Sequence, residues 1–250
     1  MAGRLLVEDV APGVRALTLS NPDKRNALDP GLLDALDAAL GDAKGVRAWL
    51  LRSDDARAFS AGYDLSHLNG FPPGTPLPDE RLGVVLDRLS HHPAPSVALV
   101  RGAAIGAGCE LAIACDFRVG DATARFGFPP AKLGVVYALK GLARVRSRVG
   151  PQVARQLFLL ARTLEASEAL SVGLLDVLEA DPAARALELC TTLAAHSSLA
   201  VGGMKRGLAL LDAGVFADEA YEALRRQSFN GPDAQEGRAA MLERRAPMFD

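Results

Sequence analysis

The first 53 residues alternate between strand-like apolar patterns and one amphipathic helix. Residues 5–10 and 14–19 flank Ala11-Pro12-Gly13, a turn sequence, and together they predict a β-hairpin. A helix is predicted to follow, with Asp29 at the N-cap and Pro30 at the first helical position. Its apolar face carries four leucines: Leu32, Leu33, Leu36 and Leu40.

The middle of the chain repeats a strand, a turn and a helix. Strands are predicted at 46–53 and from Ser96, and helices over 80–90 and 109–116, with short strands around FRVGD and ARFGF beyond. Residues 66–78 contain four prolines and two glycines, which predicts a surface loop or lid. The alternation indicates an α/β fold with mainly parallel strands, whose function lies at strand-to-helix turns.

Strand patterns end near residue 180. The remainder predicts helices over 183–196, 199–213, 215–229 and 234–244. We therefore expect a core over 1–195 and a helical region over 196–250. That region has more apolar positions than one thin layer needs, so it is either a cap on the same core or a subunit interface. These positions include Phe216, Tyr221, Leu224, Phe229, Met241 and Phe249.

Charge and composition exclude several classes of function. Twenty-eight basic and 30 acidic residues leave a net charge of -2, too weak a field to gather nucleic acid or anionic lipid. Cys109, Cys115 and Cys190 form neither a CxxC pair nor a histidine cluster, so they predict buried side chains in a reducing compartment and no metal site. The sequence shows no signal peptide or membrane-length apolar run, and a cytoplasmic location is expected.

Two turns of small residues stand out. RGAAIGAG at 101–108 precedes a helix, but its GxxxGxG spacing differs from the GxGxxG of dinucleotide sites. Uncovered N–H groups at such a helix start favour negative charge. Ser60-Ala61-Gly62 forms a second small-residue turn, and N–H groups from two turns can hold one oxygen as an oxyanion hole. The alternative is that both are only tight connections.

Glu110 lies in the first turn of an otherwise apolar helix, CELAIAC. A buried carboxylate needs a partner, and burial raises its pKa toward that of a useful acid or base. The structural alternative is a glutamate that stabilises the positive end of the helix dipole.

Three segments in order, NPDKRNAL at 21–28, AFSAGYDL at 58–65 and GAAIGAGCELAIACDFRV at 102–119, resemble the crotonase, or enoyl-CoA hydratase/isomerase, superfamily. The similarity continues through ALSVGLLDVL at 169–178 and EGRAAMLERRAPMF at 236–249, so it covers nearly the whole chain. It implies a spiral of ββα units, a C-terminal helical trimerisation region, and a homotrimer or a dimer of trimers.

The resemblance also implies an acyl-CoA thioester as substrate, with coenzyme A as part of that substrate and no separate cofactor. The thioester oxygen would be held by the backbone N–H groups of Ala61 and Ala107, beside Glu110. Many relatives have glycine where this chain has Ala107. The residues implied to line the coenzyme A or substrate site are Lys24, Arg25, Ala27, Ala61, Gly62, Tyr63, Asp64, Leu65, Ala107, Pro130 and Leu133.

Family hydratases use a second glutamate at the position of Pro130, so the resemblance leaves Glu110 as the single expected acid/base carboxylate. Hydration suits two carboxylates. The segment PPAKLGVVYALKGLARV at 129–145 is similar to methylmalonyl-CoA decarboxylase-like members, in which the tyrosine matching Tyr137 belongs to the site. Those members carry histidine in place of Tyr63 and threonine in place of Pro129.

The family-level expectation is therefore a hydratase/isomerase-type lyase that stabilises a thioester enolate. Malonyl-type decarboxylation is the specific alternative, because loss of CO2 leaves the same enolate. Thioester hydrolysis and a non-catalytic acyl-CoA binder or assembly subunit are further alternatives. The four histidines match no catalytic position and are expected at the surface or in the lid: His67, His91, His92 and His196.

Overall fold

The structure, a computed structural model, describes residues 3–67, 72 and 74–249. The strands are β1 (Arg4–Ala11), β2 (Val14–Ser20), β3 (Ala48–Ser53), β4 (Ala58–Ser60), β5 (Ser96–Val100), β6 (Ala103–Ile105), β7 (Phe117–Gly120), β8 (Arg125–Gly127), β9 (Thr163–Glu165) and β10 (Val177–Leu178). The helices are α1 (Pro30–Gly41), α2 (Pro78–His91), α3 (Ala107–Ala114), α4 (Pro130–Leu133), α5 (Leu139–Leu159, with a break at Gly150), α6 (Ala166–Ser171), α7 (Pro182–Ala195), α8 (Ser198–Asp212), α9 (Glu219–Asn230) and α10 (Pro232–Glu243).

The N-terminal elements form as the pattern predicts. β1 and β2 pair antiparallel with Leu5 opposite Leu19. The Asp29 carboxylate accepts a hydrogen bond from the Leu32 N–H at 2.8 Å and caps α1, and the four leucines on the apolar face of that helix are buried. The cap removes one of the unpaired N–H groups that a helix start leaves.

Successive strands go to two different sheets. The larger sheet has the order β1-β2-β3-β5-β7-β10, and the smaller has the order β4-β6-β8-β9. Thus β3, β5 and β7 each enter the larger sheet, and the next strand of the chain enters the smaller one. Helices follow β4, β6 and β8, so the unit is ββα, repeated along the chain.

The central strands of the larger sheet are buried on both faces, which explains why β5 is apolar throughout after Ser96. One face packs with α1, α2 and α3 in a cluster that includes Leu36, Trp49 and Leu111. On the other face, Ala186 and Cys190 of α7 pack against the sheet. All three cysteines are free and buried, as predicted.

The C-terminal helices α8, α9 and α10 have few buried side chains; in the described chain Ala240 is the one buried residue among them. Lys205 of α8 fastens this region to the core through Asp116, at 2.7 Å. The Arg47 guanidinium donates to the carbonyls of Ala194, His196 and Phe249 at 2.6–3.1 Å. These polar contacts therefore hold α8 and the C-terminal end of the chain against the sheet layer.

The prediction for His92 was wrong: the side chain is buried, not at the surface or in the lid. Its Nδ1 accepts hydrogen bonds from the Trp49 indole N–H at 3.1 Å and from the Ala94 N–H at 3.0 Å. Burial lowers the pKa of His92 and favours the neutral ring. His92 is therefore a packing residue between β3 and the loop that leads into β5.

The predicted lid at 66–78 is described only in part, because residues 68–71 and 73 lie outside the described residues. The loop ends where α2 begins at Pro78, two residues before the predicted start of that helix. No helix in the described ranges is long and apolar enough to cross a membrane.

Candidate active site

The two small-residue turns meet at one edge of the smaller sheet. β4 and β6 are parallel neighbours, with Ala58 opposite Ala103 and Ser60 opposite Ala104. Because parallel strands end at the same edge of a sheet, the turn after β4 and the turn after β6 lie side by side. The topology thus brings together segments more than 40 residues apart in sequence.

Two glycines let these turns touch. A Cβ added to Gly108 would lie 2.5 Å from the Ser60 Cβ and 2.6 Å from the Ser60 carbonyl oxygen. A Cβ on Gly62 would lie 2.7 Å from the Ile105 oxygen and 3.6 Å from the Ala107 nitrogen, and Gly62 has a φ of +97°. Both positions therefore require glycine, because no side chain fits between the turns.

The two predicted oxyanion donors lie on these touching turns. Ala107 is the first residue of α3, so its N–H belongs to the helix start that lacks intrahelical partners. The Ala61 N–H, in contrast, donates to the Arg25 carbonyl at 2.9 Å. One donor is therefore already engaged within the protein.

The turn that carries the Arg25 carbonyl is held in an unusual conformation. Arg25 and Asn26 have φ values of 52° and 55°, in the left-handed region that is uncommon for residues other than glycine. The fully buried Asn26 side chain accepts from the Asn21 N–H at 2.7 Å and donates to the Ala58 carbonyl at 3.1 Å. This amide joins the turn to β4, beside the turn that carries Ala61.

Lys24 and Asp64 form an ion pair at 2.6 Å between the turn that carries Arg25 and the segment after Ala61. The Lys24 contact, together with hydrogen bonds from Ser66, lowers the pKa of the buried Asp64 carboxyl to about 2. Near this pair, Arg25 and Leu65 are exposed, Ala27 is buried and Tyr63 is half-buried. Of the two predicted phosphate partners, Lys24 is therefore paired, whereas Arg25 forms no ion pair with the residues that the structure describes.

The Glu110 carboxylate is buried in the first turn of α3, with 4% of the residue exposed. Oε2 accepts a hydrogen bond from the Tyr137 hydroxyl at 2.7 Å, and Oε1 accepts one from Nη1 of Arg144. Burial raises the pKa of Glu110, while Tyr137 and Arg144 oppose that rise. Among the described residues each oxygen thus has one donor, and a carboxylate oxygen can accept a second hydrogen bond.

Tyr137 was predicted for the site, and the structure places it on Glu110. Burial and the adjacent carboxylate raise the Tyr137 pKa well above its ordinary value, so the hydroxyl keeps its proton and donates. Its ring packs with Phe128 and Phe158, at centroid distances of 5.8 and 5.2 Å. These two neighbouring rings therefore fix the orientation of the Tyr137 ring that carries the hydroxyl.

Sequence reasoning missed Arg144, Asp87 and Gly141. Nη2 of Arg144 contacts the Asp87 carboxylate of α2 at 3.1 Å. A Cβ on Gly141 would lie 3.0 Å from both Glu110 carboxylate oxygens, so its absence lets α5 lie directly over the carboxylate. No helix was predicted from the sequence over α5. The available signal was the three-residue spacing of Gly141 and Arg144, which would place both on one face of a helix.

The remaining predicted positions lie on α4. Pro130 is buried at the first position of this short helix, and Leu133 is half-exposed at its last position. Proline supplies no acid or base at the position of the family's second glutamate. Within the described part of the chain, no cluster of three histidine, cysteine or acidic side chains is arranged to hold a metal ion.

The fold and this site define a class: an α/β protein of repeated ββα units with a buried carboxylate beside two contacting backbone turns. The family model for enoyl-CoA hydratase/isomerase matches residues 9–250. The chain belongs to the enoyl-CoA hydratase/isomerase family, as the sequence motifs predicted.

Individual relatives agree with that membership. The chain is 35% identical to 2,3-dehydroadipyl-CoA hydratase of Escherichia coli over 246 residues, 94% of each chain. It is 29% identical to a short-chain-enoyl-CoA hydratase of Clostridium acetobutylicum, over 93% of this chain and 92% of the relative. Among solved structures, an enoyl-CoA hydratase/carnithine racemase from Magnetospirillum magneticum superposes with a TM-score of 0.91 at 28% identity, covering 98% of this chain and 95% of the other.

Proposed function

We propose that the protein adds water to the double bond of an enoyl-CoA thioester and works through a thioester enolate. The observation that carries this proposal is the buried Glu110 carboxylate, held by Tyr137 beside the contacting turns that bear Ala61 and Ala107. The hydratase names of the relatives support it. No cofactor beyond the coenzyme A of the substrate takes part.

In the proposed reaction, the ionised Glu110 accepts a proton from a water molecule as the water oxygen attacks the β-carbon of the enoyl group. Electrons move from the double bond to the thioester oxygen, which the Ala61 and Ala107 N–H groups stabilise as an enolate. The enolate then takes the proton back from Glu110 at the α-carbon. One carboxylate therefore serves as base and then as acid, and water is added without net loss of a proton.

The coenzyme A portion is proposed to lie along the turn that contains Lys24, Arg25 and Ala27. Arg25 is exposed and Lys24 is 43% exposed at its side chain, so both are accessible to a phosphate. Lys24 would share its charge between that phosphate and Asp64. Tyr63 and Leu65 follow the Ala61 turn and are proposed to line the same coenzyme A site.

Malonyl-type decarboxylation is the second candidate, and the placement of Tyr137 at Glu110 favours it. Decarboxylation produces the enolate when the bond to the departing CO2 breaks, with no water to deprotonate, so it needs less acid/base chemistry than hydration. The nearby Glu110 charge, however, would repel a second carboxylate on the substrate. Hydration is therefore the first proposal.

Incubation with crotonyl-CoA and with methylmalonyl-CoA, followed by mass spectrometry, tests the proposed function. We expect a gain of one water on crotonyl-CoA and little change in methylmalonyl-CoA. Tyr137→Phe should leave hydration measurable, because Arg144 still holds Glu110. Loss of CO2 that weakens in Tyr137→Phe would favour decarboxylation, release of free coenzyme A would favour hydrolysis, and binding without turnover would favour a non-catalytic binder.

We also propose that the protein assembles as a homotrimer or as a dimer of trimers. Large apolar side chains on the C-terminal helices are exposed in the single chain, which supports burial against further copies: Met204, Leu208, Phe229, Met241 and Leu242. Light scattering should give three or six times the 26.2 kDa chain mass. A stable monomer at micromolar concentration would contradict the proposal.

A further inference from the structure

Burial alone favours the protonated form of Glu110, whereas a residue that accepts a proton from water must start ionised. Pro130 cannot supply a second charged group or a second group that carries a proton in the reaction. Of the two hydrogen-bond donors on the carboxylate, Tyr137 is neutral and Arg144 carries a full positive charge. The Arg144 guanidinium is therefore the group best placed to keep Glu110 ionised.

The position of the guanidinium is itself fixed. Its side chain is 17% exposed and bridges two carboxylates, with Nη1 on Glu110 Oε1 and Nη2 on Asp87 Oδ1 at 3.1 Å. The other Asp87 oxygen accepts from Lys140 at 3.1 Å, and Lys140 lies one turn before Arg144 on α5. A rigid planar fork suits such a bridge, and a lysine cannot reproduce both contacts with the same geometry.

We propose that Arg144 is a positioning residue for the reaction: bridging Glu110 to Asp87, it holds the Glu110 carboxylate ionised and fixes Oε1, leaving a lone pair on each oxygen free to orient water. This inference rests on the proposed function for its catalytic meaning. Arg144 itself acts on the substrate only through Glu110.

The direction of the pH effect follows from the groups around Glu110. Tyr137 and Arg144 face it directly, and Asp79 and Asp87 of α2 lie beyond, with Lys140 balancing Asp87. Burial raises the Glu110 pKa, and Arg144 limits that rise. Removing Arg144 therefore raises the Glu110 pKa further. Because the ionised form is the active one, the acid-side loss of activity should then occur at a higher pH.

Arg144→Met tests the proposal through the pH profile of kcat. We expect the acid limb to move upward by about 1–3 pH units, with KM changed much less than kcat. Arg144→Lys keeps the charge and should keep the acid limb near its original position at reduced kcat. Arg146→Met, an exposed arginine of the same helix with no ion pair in the described part of the chain, makes the same charge change and should leave the limb in place.

Infrared difference spectra against Glu110→Gln give a measurement that does not depend on turnover. At a pH just above the original acid limb, Arg144→Met should show the carbonyl band of a protonated carboxyl group that the unsubstituted protein lacks. If the band appears while no thioester reacts, the positioning role stands and the proposed function fails. An unchanged acid limb and no new band in Arg144→Met would overturn the proposal. Should the methionine variant not fold, the same result in Arg144→Gln would overturn it, because that substitution also removes the charge.

Discussion

Replacing Glu110 by glutamine is expected to lower kcat for enoyl-CoA hydration by about 10²–10⁴-fold. The amide keeps the shape of the carboxylate but cannot accept a proton from water. It also leaves Arg144 facing a neutral group, with 17% of its side chain exposed, so a moderate loss of stability is expected as well. Steady-state kinetics with crotonyl-CoA, at a temperature where thermal melts show the variant folded, measures the effect.

Glu188→Gln is the matched control. This glutamate lies on α7, its side chain is 64% exposed, and it pairs with Arg185 at the surface. The same chemical change there should alter kcat by less than about twofold, since exposed ion pairs contribute little. If Glu110→Gln hydrates crotonyl-CoA as fast as Glu188→Gln, then Glu110 is not the acid/base residue.

Gly108→Ala is expected to damage both folding and catalysis. Its Cβ would lie 2.5–2.7 Å from three atoms of Ser60, so the turns that carry Ala61 and Ala107 must separate. Overpacking of this kind costs about 1–3 kcal/mol of unfolding free energy. A displacement of about 1 Å between catalytic groups can lower the rate by about 10²-fold. The free energy of unfolding, measured with denaturant, and kcat should therefore both decrease in this variant.

Gly83→Ala provides the comparison, because Gly83 lies inside α2 and an added Cβ there meets no atom within 4 Å. In that open site the substitution should stabilise the protein by about 0.5–1 kcal/mol through helix propensity and leave kcat unchanged. Equal behaviour of the two alanine variants would show that the contact between the turns is not needed for activity.

Local patterns predicted those elements whose signals are themselves local. The hairpin and α1 follow from turn residues, an N-cap and leucine spacing, all within a few positions. Boundaries were less accurate where small residues hide the pattern: α3 begins at Ala107, two residues before the predicted start. The helix predicted from 215 begins at Glu219, because the Asp218 cap decides the start and the apolar residues before it belong to the linker.

The site was predictable to the extent that motifs mark it. Glu110 and the two turns were predicted from sequence as candidate site residues, whereas the Glu110–Arg144 contact depends on how α5 crosses α3. A single arginine in a helix ordinarily predicts a solvated position. Arg144 points inward because a carboxylate 34 positions away accepts its hydrogen bond and because Gly141 lets the two helices approach. The carboxylate is too far along the chain to be inferred locally, and the role of Gly141 depends on the helix crossing.

Because the Ala61 N–H already donates to the Arg25 carbonyl, a ligand oxygen must replace that carbonyl before it can bind this donor. The net gain therefore depends on whether the ligand oxygen is neutral or negatively charged. If the Ala61 N–H acts as the proposed oxyanion donor, a neutral thioester oxygen that replaces the Arg25 oxygen exchanges one amide–carbonyl hydrogen bond for a similar one, and bound substrate gains little from the contact. An enolate oxygen accepts a markedly stronger bond from the same N–H. In the proposed reaction, the Arg25 carbonyl would thus cancel much of the contribution of the Ala61 N–H to ground-state affinity and leave the contribution that appears only in the transition state.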